Sequence, residues 1–118
     1  MSTPRLVSAR YPYLPVRLRV RQRVGELEAL LDTGFDDDVV VPPSWIVDGQ
    51  PPDGHVRLEL GDGSLVTAPY YDGAVELAGL GSFPVIVLAL GDEPIVGRGL
   101  LAQFRVILDH GQRVIVEP

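Results

Sequence analysis

Along most of the chain apolar and polar residues alternate with a period of two. Leu14, Val16, Leu18 and Val20 alternate with Pro15, Arg17, Arg19 and Arg21, and Leu27, Ala29 and Leu31 alternate with Glu26 and Glu28. Such a period marks a strand with one buried face. A turn is expected near Gly25, so the two segments form a hairpin whose outer face sets arginines against glutamates. That opposition accounts for the basic run RLRVRQR (17–23) as one solvated strand face.

Further on, DVVVP (38–42) reads as a short apolar strand closed by proline, and 43–54 reads as loop from its Pro, Gly and Asp content. HVRLEL (55–60) and LVTAPYY (65–71) flank GDGS (61–64), a hairpin signal. Residues 73–90 give two more strands around a Gly-rich turn. RGLLAQF (98–104) is the one short helix, and 105–117 form a last hairpin turning at 109–112. The pattern predicts an all-β fold with one short helix near the C-terminus. A single domain is expected over 1–118, with 1–13 extended or part of a dimer sheet.

Composition narrows the chemistry. A chain of 118 residues that is 46% hydrophobic can bury a core. It has no cysteine, which removes disulfides, thiol nucleophiles and thiolate metal sites and is compatible with a cytoplasmic location. The net charge of −6 argues against nucleic acid as partner. No signal peptide is seen at the N-terminus, and the longest apolar run, VIVLAL (85–90), is too short to span a membrane. His55 and His110 lack metal-ligand spacing, Ser64 and Ser82 lack a nucleophile context, and neither a metal nor a cofactor is expected.

The stretch ALLDTGFDDDVVVP (29–42) carries the candidate chemistry. An apolar strand runs into Asp32-Thr33-Gly34, which places a carboxylate at a strand end, on a turn that glycine permits. The tripeptide alone also fits an ordinary turn. About sixty residues on, PIVGRGLL (94–101) repeats the logic of an apolar strand, a glycine and a helix start.

Taken together, ALLDTG, a glycine-tipped hairpin and IVGRGLL resemble, in order and spacing, the retroviral-type aspartic proteases (retropepsins) and their small relatives in bacteria. The resemblance covers most of the chain and implies a closed β-barrel acid protease fold with one short helix. It also implies peptide-bond hydrolysis by two carboxylates that share a proton. One takes a proton from water while the other polarises the carbonyl. Only one Asp-Thr-Gly is present, so the second carboxylate is expected from Asp32 of another copy, across a two-fold axis.

Residue by residue, the resemblance implies that Asp32, Thr33 and Gly34 form the catalytic loop, with Thr33 bonding across the axis. Asp36 and Asp37 contact substrate, Arg98 pairs with Asp36, and Gly97 packs beneath the loop. Gly61, Asp62, Gly63 and Ser64 form the tip of a flap over the peptide. Two residues depart from the retroviral pattern. Phe35 stands where a small residue is usual, and is expected to narrow a substrate pocket. Gly99 replaces a polar residue, which reads as the loss of a local hydrogen bond. The implied partners are a second copy of the chain and an extended peptide or protein, not nucleic acid or membrane. A catalytically silent module of the same fold, binding peptides or merely assembling, is the alternative.

Overall fold

A computed structural model describes residues 3–118, so the first two positions of the expected N-terminal segment lie outside the described residues. The strands are β1 (Leu6–Ser8), β2 (Tyr13–Val20), β3 (Arg23–Leu31), β4 (Val39–Val41), β5 (Gly54–Glu59), β6 (Leu65–Leu77), β7 (Gly81–Ala89), β8 (Ile95–Val96), β9 (Arg105–Asp109) and β10 (Arg113–Glu117). A single turn of helix, α1 (Arg98–Leu101), lies between β8 and β9.

The predicted alternation holds where it is clearest. Leu14, Val16, Leu18 and Val20 are all buried, whereas Arg17 and Arg19 are exposed. Each such apolar side chain contributes roughly 1.5–3 kcal/mol when removed from water. Arg17 stands opposite Glu26 on β3 and opposite Glu76 on β6. β2, β3, β8, β4, β7 and β6 are hydrogen-bonded in that order, and β2 pairs with β6 to close a six-stranded barrel. Its interior holds Leu14, Leu18, Val39, Val75, Val87 and Val96. β5 extends the sheet beyond β6 as an edge strand.

Beside the barrel lies a three-stranded sheet in the order β1-β10-β9. The described part of the N-terminal segment is therefore tied to its own C-terminus, with Leu6 opposite Val116 and Ser8 opposite Val114.

Several local expectations are corrected. The first hairpin turns at Arg21 and Gln22 rather than near Gly25, with Arg21 at φ +55°. Gly25 is instead a strand residue opposite Leu18, lying against the Trp45 indole. The Arg23 guanidinium covers that indole at 4.5 Å and donates to the Trp45 carbonyl at 2.6 Å. Within the expected loop, Pro43–Trp45 forms a turn of 3-10 helix that buries Trp45.

Residues 65–71 and 73–77 are also one strand, not two. A side chain at position 73 would come within 2.6 Å of the Arg19 carbonyl oxygen. The glycine is there so that β2 can pack close to β6. The helix is shorter than its sequence signal, ending at Leu101 instead of continuing to Phe104.

Candidate active site

β3 delivers Asp32 to the end of the barrel, and parallel pairing with β8 holds it there. Leu30 and Leu31 pair with Ile95 and Val96, and the Asp32 N–H then donates to the Val96 carbonyl at 3.0 Å. The turn closes on itself. Gly34 N–H donates to Asp32 Oδ1 at 2.9 Å, and Phe35 N–H donates to the Asp32 carbonyl at 3.3 Å. Asp32 is half-buried, while Thr33 and Gly34 are exposed at the tip of the loop.

The chain leaving β8 meets the loop that follows. The first N–H groups of a helix have no partners within it and must find them elsewhere. Here Gly97 N–H donates to Asp38 O at 2.9 Å, Arg98 N–H to Phe35 O at 2.7 Å, and Gly99 N–H to Asp37 O at 3.1 Å. Three successive amides thus stitch the helix start to the loop carrying Asp32. The contact is so close that a side chain at Gly97 would overlap the Asp37 carbonyl oxygen and the Phe35 ring. The Arg98 guanidinium forms an ion pair with the Asp36 carboxylate, in an exposed position.

The Asp38 carboxylate fills the space where a side chain at position 99 would begin. Its Oδ2 accepts from Ile86 N–H on β7 at 2.8 Å, tying the loop to the barrel wall. Sequence reasoning missed Asp38 as a support residue. The signal was the pairing of a third consecutive acid with an unexpected glycine after Arg98.

The β5–β6 hairpin rises beside this loop. Its tip is set by Gly63, at φ +86°, and by Asp62, whose Oδ1 accepts from the Ser64 N–H at 2.9 Å and the Ser64 hydroxyl at 2.6 Å. The Ser64 hydroxyl, and then its amide, hold the Asp62 carboxyl below its ordinary value.

A cleft of about 920 Å³ separates hairpin and loop. It is lined by Asp32, Gly34, Phe35, Asp36 and Asp37 from the loop, by residues 57–61 from the hairpin, and by residues 90–93 and Ile95 ahead of the helix. Of the expected hairpin-tip residues only Gly61 lines it; Asp62, Gly63 and Ser64 lie beyond, as does Thr33. Arg57 to Leu60 and Leu90 to Glu93 were not anticipated as cleft residues, because no motif marks them. The described residues hold no group of three or more His, Asp and Glu side chains placed to share a metal ion.

No family model and no curated protein sequence matches the chain. Solved structures do. A retropepsin-like aspartic protease from Rickettsia conorii superposes with a TM-score of 0.67 over 98% of this chain and 91% of its own, at 16% identity. The chain has the retropepsin-like fold. The solution structure of Simian Foamy Virus (mac) protease shares it, with a TM-score of 0.52 over 75% of this chain and 91% of its own, at 17% identity. Within this retropepsin-like barrel, Asp32 sits at the strand end that faces the cleft.

Proposed function

We propose that the chain is an aspartic endopeptidase that cuts extended peptides at a site shared by two copies. The observation that supports this best is the cleft, which has the half-buried Asp32 carboxylate in its floor and the β5–β6 hairpin as its wall. One carboxylate cannot supply both an activated water and a proton for the leaving amine. A second copy, related by a two-fold axis, brings its own Asp32 and leaves one proton between the pair. The exposed Thr33 and Gly34 leave the loop tip open to that partner.

Asp36 and Asp37 then meet the peptide main chain from the floor, and Arg98 orients Asp36. The hairpin acts as a flap, and β5, an edge strand, offers unpaired backbone groups to an extended ligand. Phe35, in the cleft wall against Gly97, narrows the space for a substrate side chain. The net charge of −6 makes nucleic acid a poor partner, and no described helix is long and apolar enough to cross a membrane.

The test is digestion of a mixed peptide library at several pH values by the wild-type protein and by Asp32→Asn. Endopeptidase activity predicts internal cleavage by the first and none by the second. Cleavage equal in both, or absent in both, contradicts the assignment.

A further inference from the structure

Of the described residues that line the cleft, six are carboxylates and one, Arg57, is a cation. Among them, Glu93 has an arrangement of its own. Its Oε1 accepts a hydrogen bond from the Tyr13 hydroxyl at 2.9 Å, across eighty residues of sequence. Asp36 has Arg98 as counter-ion, but the ion pairs of the described residues leave Glu93 without one.

Both ends of the contact are fixed. Glu93 stands in the short link between β7 and β8, which is pinned where Leu90 N–H donates to Val41 O at 2.9 Å and where Leu30 N–H donates to Pro94 O at 2.9 Å. Tyr13 opens β2, its N–H donating to Arg10 O at 2.6 Å and its carbonyl accepting from Ser8 Oγ at 2.6 Å. Glu93 is half-buried, so it has already lost part of its hydration.

We propose that Glu93, held in place by Tyr13, is the specificity-determining residue of the cleft and selects a Lys or Arg side chain of the bound peptide. The inference rests on the reading of the cleft as a peptide site. The phenol occupies part of one carboxylate oxygen and leaves the rest of the group free to accept. An ammonium or guanidinium supplies the charge-assisted donors that such a half-buried anion lacks. Because the carboxylate is already oriented, little side-chain freedom is lost on binding. Leu58, Leu90 and Ile95 in the same cleft suit the aliphatic stem of a Lys or Arg. The excess of negative charge around them attracts cationic peptides and repels acidic ones.

The test separates binding from cleavage. The Asp32→Asn protein is titrated with short fluorescent peptides that share one apolar frame and carry Arg, Gln or Glu at each position in turn. Binding is read by anisotropy. At one position the Arg peptide is expected to bind about tenfold more tightly than the Glu peptide. That preference is expected to shrink in Tyr13→Phe, vanish in Glu93→Gln and reverse in Glu93→Lys. A merely structural Glu93 would not reverse it.

Equal affinities, a preference for Glu, a preference that survives Glu93→Gln, or no binding of any peptide overturns the proposal. Should Glu93→Lys fail to fold, the isosteric Glu93→Gln still decides it. Digestion of the same peptides by wild-type protein reports separately on the endopeptidase reading. Selective binding without cleavage overturns that reading and upholds the role of Glu93, and cleavage without selectivity does the reverse.

Discussion

The Asp38 carboxylate and the Gly99 backbone share one small space, and each explains the other. Asp38 bridges the loop after Asp32 to Ile86 of β7, and Gly99 is the residue whose missing side chain lets that carboxylate in. The arrangement couples the candidate catalytic loop to the barrel wall through a single side chain.

Gly99→Ala should therefore destabilise the fold by about 1–3 kcal/mol, the usual cost of overpacking. Asp38→Ala in the same chain should recover part of that loss, so the two substitutions are non-additive. Urea denaturation of the two single variants and the double variant measures the coupling; strict additivity would contradict the shared space.

Arg98 and Asp36 are joined where side chains are more than half exposed, at 58% and 76%. Exposed pairs are screened, so Arg98→Ala should change stability by less than about 1 kcal/mol. If Asp36 must be held to meet substrate, the same variant should nevertheless lose peptide cleavage, with KM raised. Denaturation curves and steady-state kinetics on one preparation check both halves. A large stability loss would mean that Arg98 serves the fold instead.

The hairpin tip gives a pH dependence of definite sign. The Asp62 carboxyl is held below its ordinary value of 3.8, first by the Ser64 hydroxyl and then by the backbone. A carboxyl lowered in the folded state stabilises it above the unfolded value, and that stability is lost as pH falls through the folded value. The Asp62–Ser64 contact should thus persist at pH 3.8 and open only in stronger acid. The Ser64 amide shift, followed by NMR during acid titration, reports it. A midpoint at or above 3.8 would contradict the geometry.

Leu100 is fully buried beneath the helix turn that abuts the Asp32 loop. Leu100→Ala should cost about 2–5 kcal/mol through lost burial and the cavity left behind. The denaturant midpoint measures it, and a change below about 1 kcal/mol would show that the site collapses freely.

What could be read from the sequence followed the strength of the local signal. Alternation in β2 marked its buried face because every second residue there is apolar and fully enclosed. Asp32 and Gly97 could be picked out because each directly follows an apolar strand, and strand ends govern which backbones meet, whereas the pairing of Arg98 with Asp36 was legible only through the resemblance to retropepsins. The signal failed where tertiary contact overrode local chemistry. Gly25 looked like a turn glycine but serves close packing against Trp45, and Gly73, read as the start of a separate strand, lets β6 run on unbroken past Arg19, while Arg21 took the left-handed turn position without being glycine. Asp38 and Glu93 stayed hidden for a related reason. Their partners, Ile86 and Tyr13, lie 48 and 80 residues away in sequence, and no periodicity carries that information.

The central claim is a carboxylate pair shared between copies, and a mixing titration tests it most directly. Wild-type protein at fixed concentration is equilibrated with increasing Asp32→Asn protein, and peptide cleavage is measured. If each active site needs two wild-type chains, exchange into mixed pairs should cut the rate to about one half at an equal amount of variant and to about one quarter at threefold excess. A rate unchanged by added Asp32→Asn would show that one chain suffices, and would contradict the account.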